Sequence, residues 1–101
     1  MNDYRFTPEA EDDLFEIWVY IARDSVAAAN RVESAIYDAC FFLAQEPRSG
    51  SARRHVTALP VYFWTVQRYP SYVLVYRPET HPLEIVRILH GKRDLKQLLE
   101  S

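Results

Sequence analysis

Apolar positions recur at helical spacing through the first half of the chain and alternate through the second. Residues 2–6 alternate weakly and suggest a first or edge strand. Thr7-Pro8-Glu9-Ala10 then opens a helix. Threonine can cap, and proline at the first helical position lacks only an N–H that would be unpaired anyway. Glu9, Glu11, Asp12 and Asp13 sit in the first turns, where the helix dipole favours negative charge. Ala10, Leu14, Ile17 and Ile21 form one apolar stripe, and Phe15, Val19 and Ala22 form a second on another side. A helix with two stripes should touch two things. Asp24-Ser25 breaks the pattern and caps a second helix, whose stripe is Ala29, Val32, Ile36, Cys40 and Leu43. Pro47 and Gly50 end it. So short a connection predicts an antiparallel helical hairpin. Phe41 falls roughly opposite the core stripe of its own helix.

Residues 47–60 form a long basic connection, after which the chain turns β-branched and aromatic. Val61–Tyr69, Tyr72–Arg77 and Leu83–His90 are the predicted strands, joined by Pro70-Ser71 and Pro78–Pro82. Turns this short require antiparallel neighbours. After Gly91, residues Asp94–Leu99 could add one or two helical turns. The order is β-α-α-β-β-β, an α+β single domain over residues 1–101 with the hairpin on one face of a small antiparallel sheet. The sheet is apolar on both faces. Tyr72, Leu74 and Tyr76 alternate with Val73 and Val75; Leu83, Ile85 and Leu89 alternate with Val86 and Ile88. Two helices cover one face, so the other is expected to be an open apolar surface for a partner.

A chain of 101 residues with 49% hydrophobic and 26% charged positions can fold alone and is not disordered. No run approaches the ~18 apolar residues of a membrane span. The opening Met-Asn-Asp-Tyr-Arg-Phe has no basic-then-apolar leader, so a cytoplasmic protein is expected. Cys40 is the single cysteine and belongs to packing. No Cys/His cluster suggests a metal, and no cofactor is expected. The net charge is −2, divided unevenly. Residues 1–47 hold three basic and ten acidic groups; residues 48–101 hold nine basic and four acidic. Ten of the twelve basic residues are arginine, whose planar fork suits an interface. The mild acidity argues against direct, specific DNA binding by this chain.

Thr7-Pro8-Glu9-Ala10 with Asp13-Leu14, Ile17 and Tyr20-Ile21-Ala22 resembles the opening of the RelE/ParE toxin superfamily. Leu43-Ala44-Gln45-Glu46-Pro47 with Gly50, and Tyr69-Pro70-Ser71-Tyr72-Val73-Leu74-Val75-Tyr76-Arg77, resemble its middle. Ile85-Val86-Arg87-Ile88-Leu89-His90-Gly91-Lys92-Arg93-Asp94-Leu95 is similar to its ParE branch. The resemblance covers nearly the whole chain. It implies a toxin of a type II toxin–antitoxin module that acts on DNA gyrase without catalysis, with roles in plasmid maintenance or stress response. It also implies a ParD-like antitoxin whose disordered tail folds on binding, giving a hetero-oligomer. The alternatives are a RelE-type ribosome-dependent mRNA endonuclease, or a non-toxic relative that only binds an antitoxin.

Residue roles follow the same division. Arg77, Arg87, Lys92 and Arg93 are candidates for target binding, with Arg77, Arg87 and Arg93 expected to cluster at the ends of adjacent strands. Arg87 lies in an apolar strand, where a charge needs a partner such as Glu84, Glu79 or Asp94. In the nuclease alternative His90 would titrate beside Arg77 and Arg93. His90 as a hydrogen-bonded residue closing the sheet is the competing role. The ending Leu95-Lys96-Gln97-Leu98-Leu99-Glu100-Ser101 lacks the terminal Tyr or His of many RelE-like enzymes. Phe15, Trp18, Val19 and Phe41, with Arg53, Arg54 and Arg77, are candidates for antitoxin contact. Aromatic side chains carry much of the energy at interfaces. The tail is expected to be acidic where it meets Arg53, Arg54 and Arg77.

Overall fold

The computed structural model describes residues 3–91, 93 and 94. The elements are β1 (Tyr4–Phe6), α1 (Pro8–Ala22), α2 (Val26–Gln45), β2 (Tyr62–Thr65), β3 (Tyr72–Arg77) and β4 (Leu83–His90). Both helices start where their caps require. Thr7 Oγ1 accepts from the Ala10 N–H at 3.1 Å, and Ser25 Oγ accepts from the Ala28 N–H at 3.1 Å. Thr7 also donates to the Val86 carbonyl at 2.7 Å, which ties the start of α1 to the sheet. Only Arg23, Asp24 and Ser25 separate the helices, so they form the expected hairpin.

The strand order is β1-β4-β3-β2. β2, β3 and β4 are antiparallel neighbours, as the short turns demand. β1 is different: it runs parallel to β4, pairing Tyr4 with Leu83 and Phe6 with Ile85. The sheet is therefore mixed, not wholly antiparallel. The long excursion through both helices supplies the crossover that parallel neighbours need. β2 is shorter than Val61–Tyr69, because the Tyr69 N–H bonds back to the Val66 carbonyl and the Tyr72 N–H to the Tyr69 carbonyl, so the chain leaves the strand at Val66 and turns through Pro70-Ser71. Of the helical turns expected over Asp94–Leu99, only Asp94 is described; residues 95–99 lie outside the described residues.

The main core lies between the hairpin and the sheet. Leu14, Val32, Ile36, Cys40 and Leu43 meet Leu74, Tyr76, Leu83, Ile85 and Ile88. Ile88 thus shares a face with Ile85, and Leu89 joins Val73 and Val75 on the other. This reverses the simple alternation expected in β4. The pairing shifts from Val75 with Arg87 to Tyr76 with Ile85, a bulge that leaves Val86 extra. One inserted residue flips every side chain that follows.

The second sheet face is covered, contrary to expectation. Val61, Phe63, Val73, Val75 and Leu89 form a second buried cluster, with Val56 and Val86 packed against it. The 46–60 connection makes this cover. Tyr76 fixes its start: the phenol donates to the Pro47 carbonyl at 2.7 Å and accepts from the Gly50 N–H at 3.0 Å. Ser51 then pairs with Phe63 along the outer edge of β2. The Arg53 guanidinium lies over the Phe63 ring, 5.1 Å from its centroid. A basic loop is thereby stacked on apolar sheet, its stems covering what the helices do not.

Candidate functional site

What the fold leaves open is the outer surface of the hairpin. Phe15 is 68% exposed, Phe41 56% and Tyr37 40%. Tyr37 and Phe41 stand one turn apart on α2, while Phe15 and Val19 stand one turn apart on α1. Between the helices, Phe6, Leu14, Phe15, Trp18 and Tyr37 line a groove with Glu11 and Glu33. The Trp18 indole N–H donates to Asn30 Oδ1 at 2.9 Å, which fixes the indole across the hairpin. Phe6 and Tyr37 rings lie 6.1 Å apart on the groove floor. Burial raises the Tyr37 phenol pKa, and the Glu33 charge adds to it. Four of the proposed antitoxin contacts, Phe15, Trp18, Val19 and Phe41, therefore lie on the hairpin. Phe42 was not singled out from the sequence. It turns the other way and packs on Trp64 with ring centroids 5.4 Å apart. That pair walls a second apolar hollow with Ala35, Ala39 and Val66.

Arg53 and Arg54 are elsewhere. Arg53 is half-buried on the sheet face opposite the helices, and Arg54 beside it is exposed. The basic loop is a separate surface and does not continue the hairpin groove.

A third site lies between α1 and the end of β4. Asp13, Glu16, Tyr20, Arg23, Tyr72, Arg87, His90, Arg93 and Asp94 line this cleft together with Phe15, Ile17, Val19 and Ile88. Arg87 finds its carboxylate in Asp13 and not in Glu84, Glu79 or Asp94. The guanidinium bonds Asp13 through Nε at 2.7 Å and Nη2 at 3.0 Å. Asp13 Oδ2 also accepts the Ile88 N–H at 2.9 Å. β1 stops at Phe6, so Asp13 satisfies the edge of β4 where the strand has no further neighbour. These hydrogen bonds raise the Arg87 pKa still further, and burial opposes them only in part. Past the strand, Asp94 accepts the His90 N–H at 2.6 Å and the Arg93 Nε at 3.1 Å. Burial works against ionising Asp94, but these donors outweigh it and its pKa lies below the usual carboxylate value. The His90 ring packs edge-on to Tyr72 at 5.8 Å, and its Nδ1 is buried without a partner among the described residues. Lys92 lies outside the described residues.

Arg77 does not join this cleft. Its Nε bonds Glu84 Oε1 at 3.0 Å, and Arg5 shares the same carboxylate. β3 places Arg77 opposite Glu84 and Tyr72 opposite His90. Arg77 and Arg93 thus mark opposite ends of the sheet, roughly 17 Å apart along the strand. The expected clustering of Arg77, Arg87 and Arg93 holds only for the last two. The five steps from Tyr72 to Arg77 span the whole of β3, which the side-chain types alone do not reveal. Among the described residues, no group of three or more His, Cys, Asp or Glu side chains is arranged to hold a metal ion.

Two helices against a four-stranded mixed sheet, in the order β-α-α-β-β-β, form the RelE/ParE-like toxin fold. Residues 4–95 match the family described as "ParE toxin of type II toxin-antitoxin system, parDE". The chain belongs to this ParE toxin family. A solved structure titled "Chromosomal ParDE TA system from P. aeruginosa" is similar in fold, with a TM-score of 0.68 at 22% identity. The alignment covers 86% of this chain and 92% of that one. No curated protein matches the sequence.

Proposed function

We propose that this chain is a toxin that binds DNA gyrase and stalls it without catalysing a reaction, and that a ParD-like antitoxin neutralises it. Family membership supports the toxin role and supports an antitoxin as partner. The observation that carries the binding surface is the hairpin itself: Phe15 and Tyr37 are exposed in a groove they line with Phe6, Leu14 and Trp18, and Phe41 is exposed one turn along α2 from Tyr37. A disordered tail that folds on binding suits such a surface, since its amphipathic helix would bury the aromatics. Action by binding is supported by the scattering of the arginines. Arg77 is paired with Glu84, Arg87 with Asp13 and Arg93 with Asp94, so each of these three guanidinium groups already has a carboxylate partner.

A second reading, an mRNA endonuclease, is favoured by one observation. Arg87, His90 and Arg93 line one cleft with Tyr20 and Tyr72. Expression in cells separates the two. DNA breaks with an SOS response, and loss of supercoiling activity with purified gyrase, are the expected outcome. His90→Ala should keep that effect, provided the variant folds. Cleaved mRNA with arrested translation, abolished by about 10²-fold or more in His90→Ala, would install the nuclease instead.

A further inference from the structure

The charge around the hairpin groove specifies its occupant more closely than its apolar floor does. Among the described residues, Glu11 and Glu33 are its charged lining residues, and no Lys, Arg or His lines it. α1 carries five carboxylates, Glu9, Glu11, Asp12, Asp13 and Glu16, and no basic residue. Among the described residues only Asp13 of these five is in an ion pair, and Glu33 on α2 is in none. Asp12 and Glu16 stand one turn apart, where like charges oppose the helix. The helix dipole offsets this only in the first turn. Phe15 lines the groove with Glu11 and Glu33 and is its most exposed apolar residue.

We propose that the hairpin groove receives a helical segment of the partner chain whose apolar stripe is flanked by lysine or arginine. The inference rests on the antitoxin reading above and deepens it. The partner's tail is then divided in charge: basic where it crosses α1 and α2, and acidic only where it reaches the arginines of residues 48–54. This is the mirror of the present chain, whose residues 1–47 are acidic and whose residues 48–101 are basic. A uniformly acidic tail would set its carboxylates against Glu11 and Glu33 in the groove. A second copy of this chain meets the same objection, because two α1 surfaces of this charge repel.

The test is calorimetry with the antitoxin encoded by the reading frame beside this chain's gene. Wild type is compared with the Glu11→Gln/Glu33→Gln variant, which keeps shape and removes charge; circular dichroism checks that both fold. Two exposed charge pairs predict an affinity loss of about three- to thirtyfold in ~0.05 M salt for the variant. In ~0.5 M salt, with a Debye length of only a few ångströms, the difference should collapse. Binding by the variant as tight as wild type, or tighter, overturns the basic-flank inference while the toxin–antitoxin reading stands. A loss of equal size at both salt concentrations also overturns it, because it would mark packing and not charge. A wild type that forms no complex with this antitoxin overturns both.

Discussion

Single residues set limits that the fold cannot relax. Tyr76 is fully buried, and its phenol satisfies two backbone groups of the loop that starts at Pro47. A side chain on Gly50 would bring its Cβ to 2.5 Å from Tyr76 Oη and 2.6 Å from the Phe63 carbonyl oxygen. The sequence marked Gly50 only as the end of a helix. Its true constraint is a close approach to residues 13 and 26 positions further on, which no local pattern displays. Tyr76→Phe should leave the half-buried Pro47 carbonyl and Gly50 N–H unpaired and cost about 1–3 kcal/mol. The melting temperature should fall by about 5–15 °C. A thermal melt unchanged within error would show that the loop anchors itself by other means. Cys40, by contrast, was legible as packing from its place on the α2 stripe. It is completely buried, and burial pushes its thiol up to about 12. At pH 8 only about one thiol in 10⁴ is then thiolate, the reactive form. An aromatic disulfide reagent should label it only in denaturant; rapid labelling of the native chain would contradict the burial.

At the scale of elements, caps and periodicity carried both helices, and β3 and β4 are found at their predicted bounds. What the pattern could not carry was pairing. β1 is three residues long, and nothing in Tyr4–Phe6 says which strand it joins. The bulge at Val86 likewise depends on register with β3 and not on the residue itself. The end of β4 has its own electrostatic clip in Asp94. Its depressed pKa means that the charged carboxylate adds stability above its unfolded pKa, near ~4, and loses it as pH falls through the lower folded value. Asp94→Asn should therefore be less stable than wild type at pH 7, by under about 1 kcal/mol because the site is partly exposed. The gap should close as pH falls toward ~3; denaturant midpoints across that range measure it. The hairpin supports a sharper expectation. Phe15→Asp and Phe41→Asp replace exposed residues, so both should fold. Each should weaken antitoxin binding by about tenfold or more if the ridge is the contact surface. Two folded variants that bind as tightly as wild type would move the contact away from the hairpin.

Across the whole molecule, the division of charge was visible in the sequence, but its layout was not. The hairpin and the basic loop end on different sides of the sheet, and Phe63, Val73 and Val75 lie under the loop instead of facing a partner. The apolar second face was readable; the segment that covers it was not, because loop residues 46–60 have no periodicity to reveal a packed side. The same limit applies to the arginines. Arg77 and Arg93 looked like one site because each follows or ends a strand, yet β3 holds them at opposite ends of the sheet, on different carboxylates. Residues that share no partner and stand well beyond 7–10 Å contribute almost independently. Growth arrest and gyrase inhibition should therefore be measured for Arg77→Ala, Arg93→Ala and the double variant at equal expression. The double loss should equal the product of the single losses, with a coupling within about 0.3–0.5 kcal/mol of zero. A coupling above ~1 kcal/mol would mean that one target surface spans both ends of the sheet and senses the two arginines together.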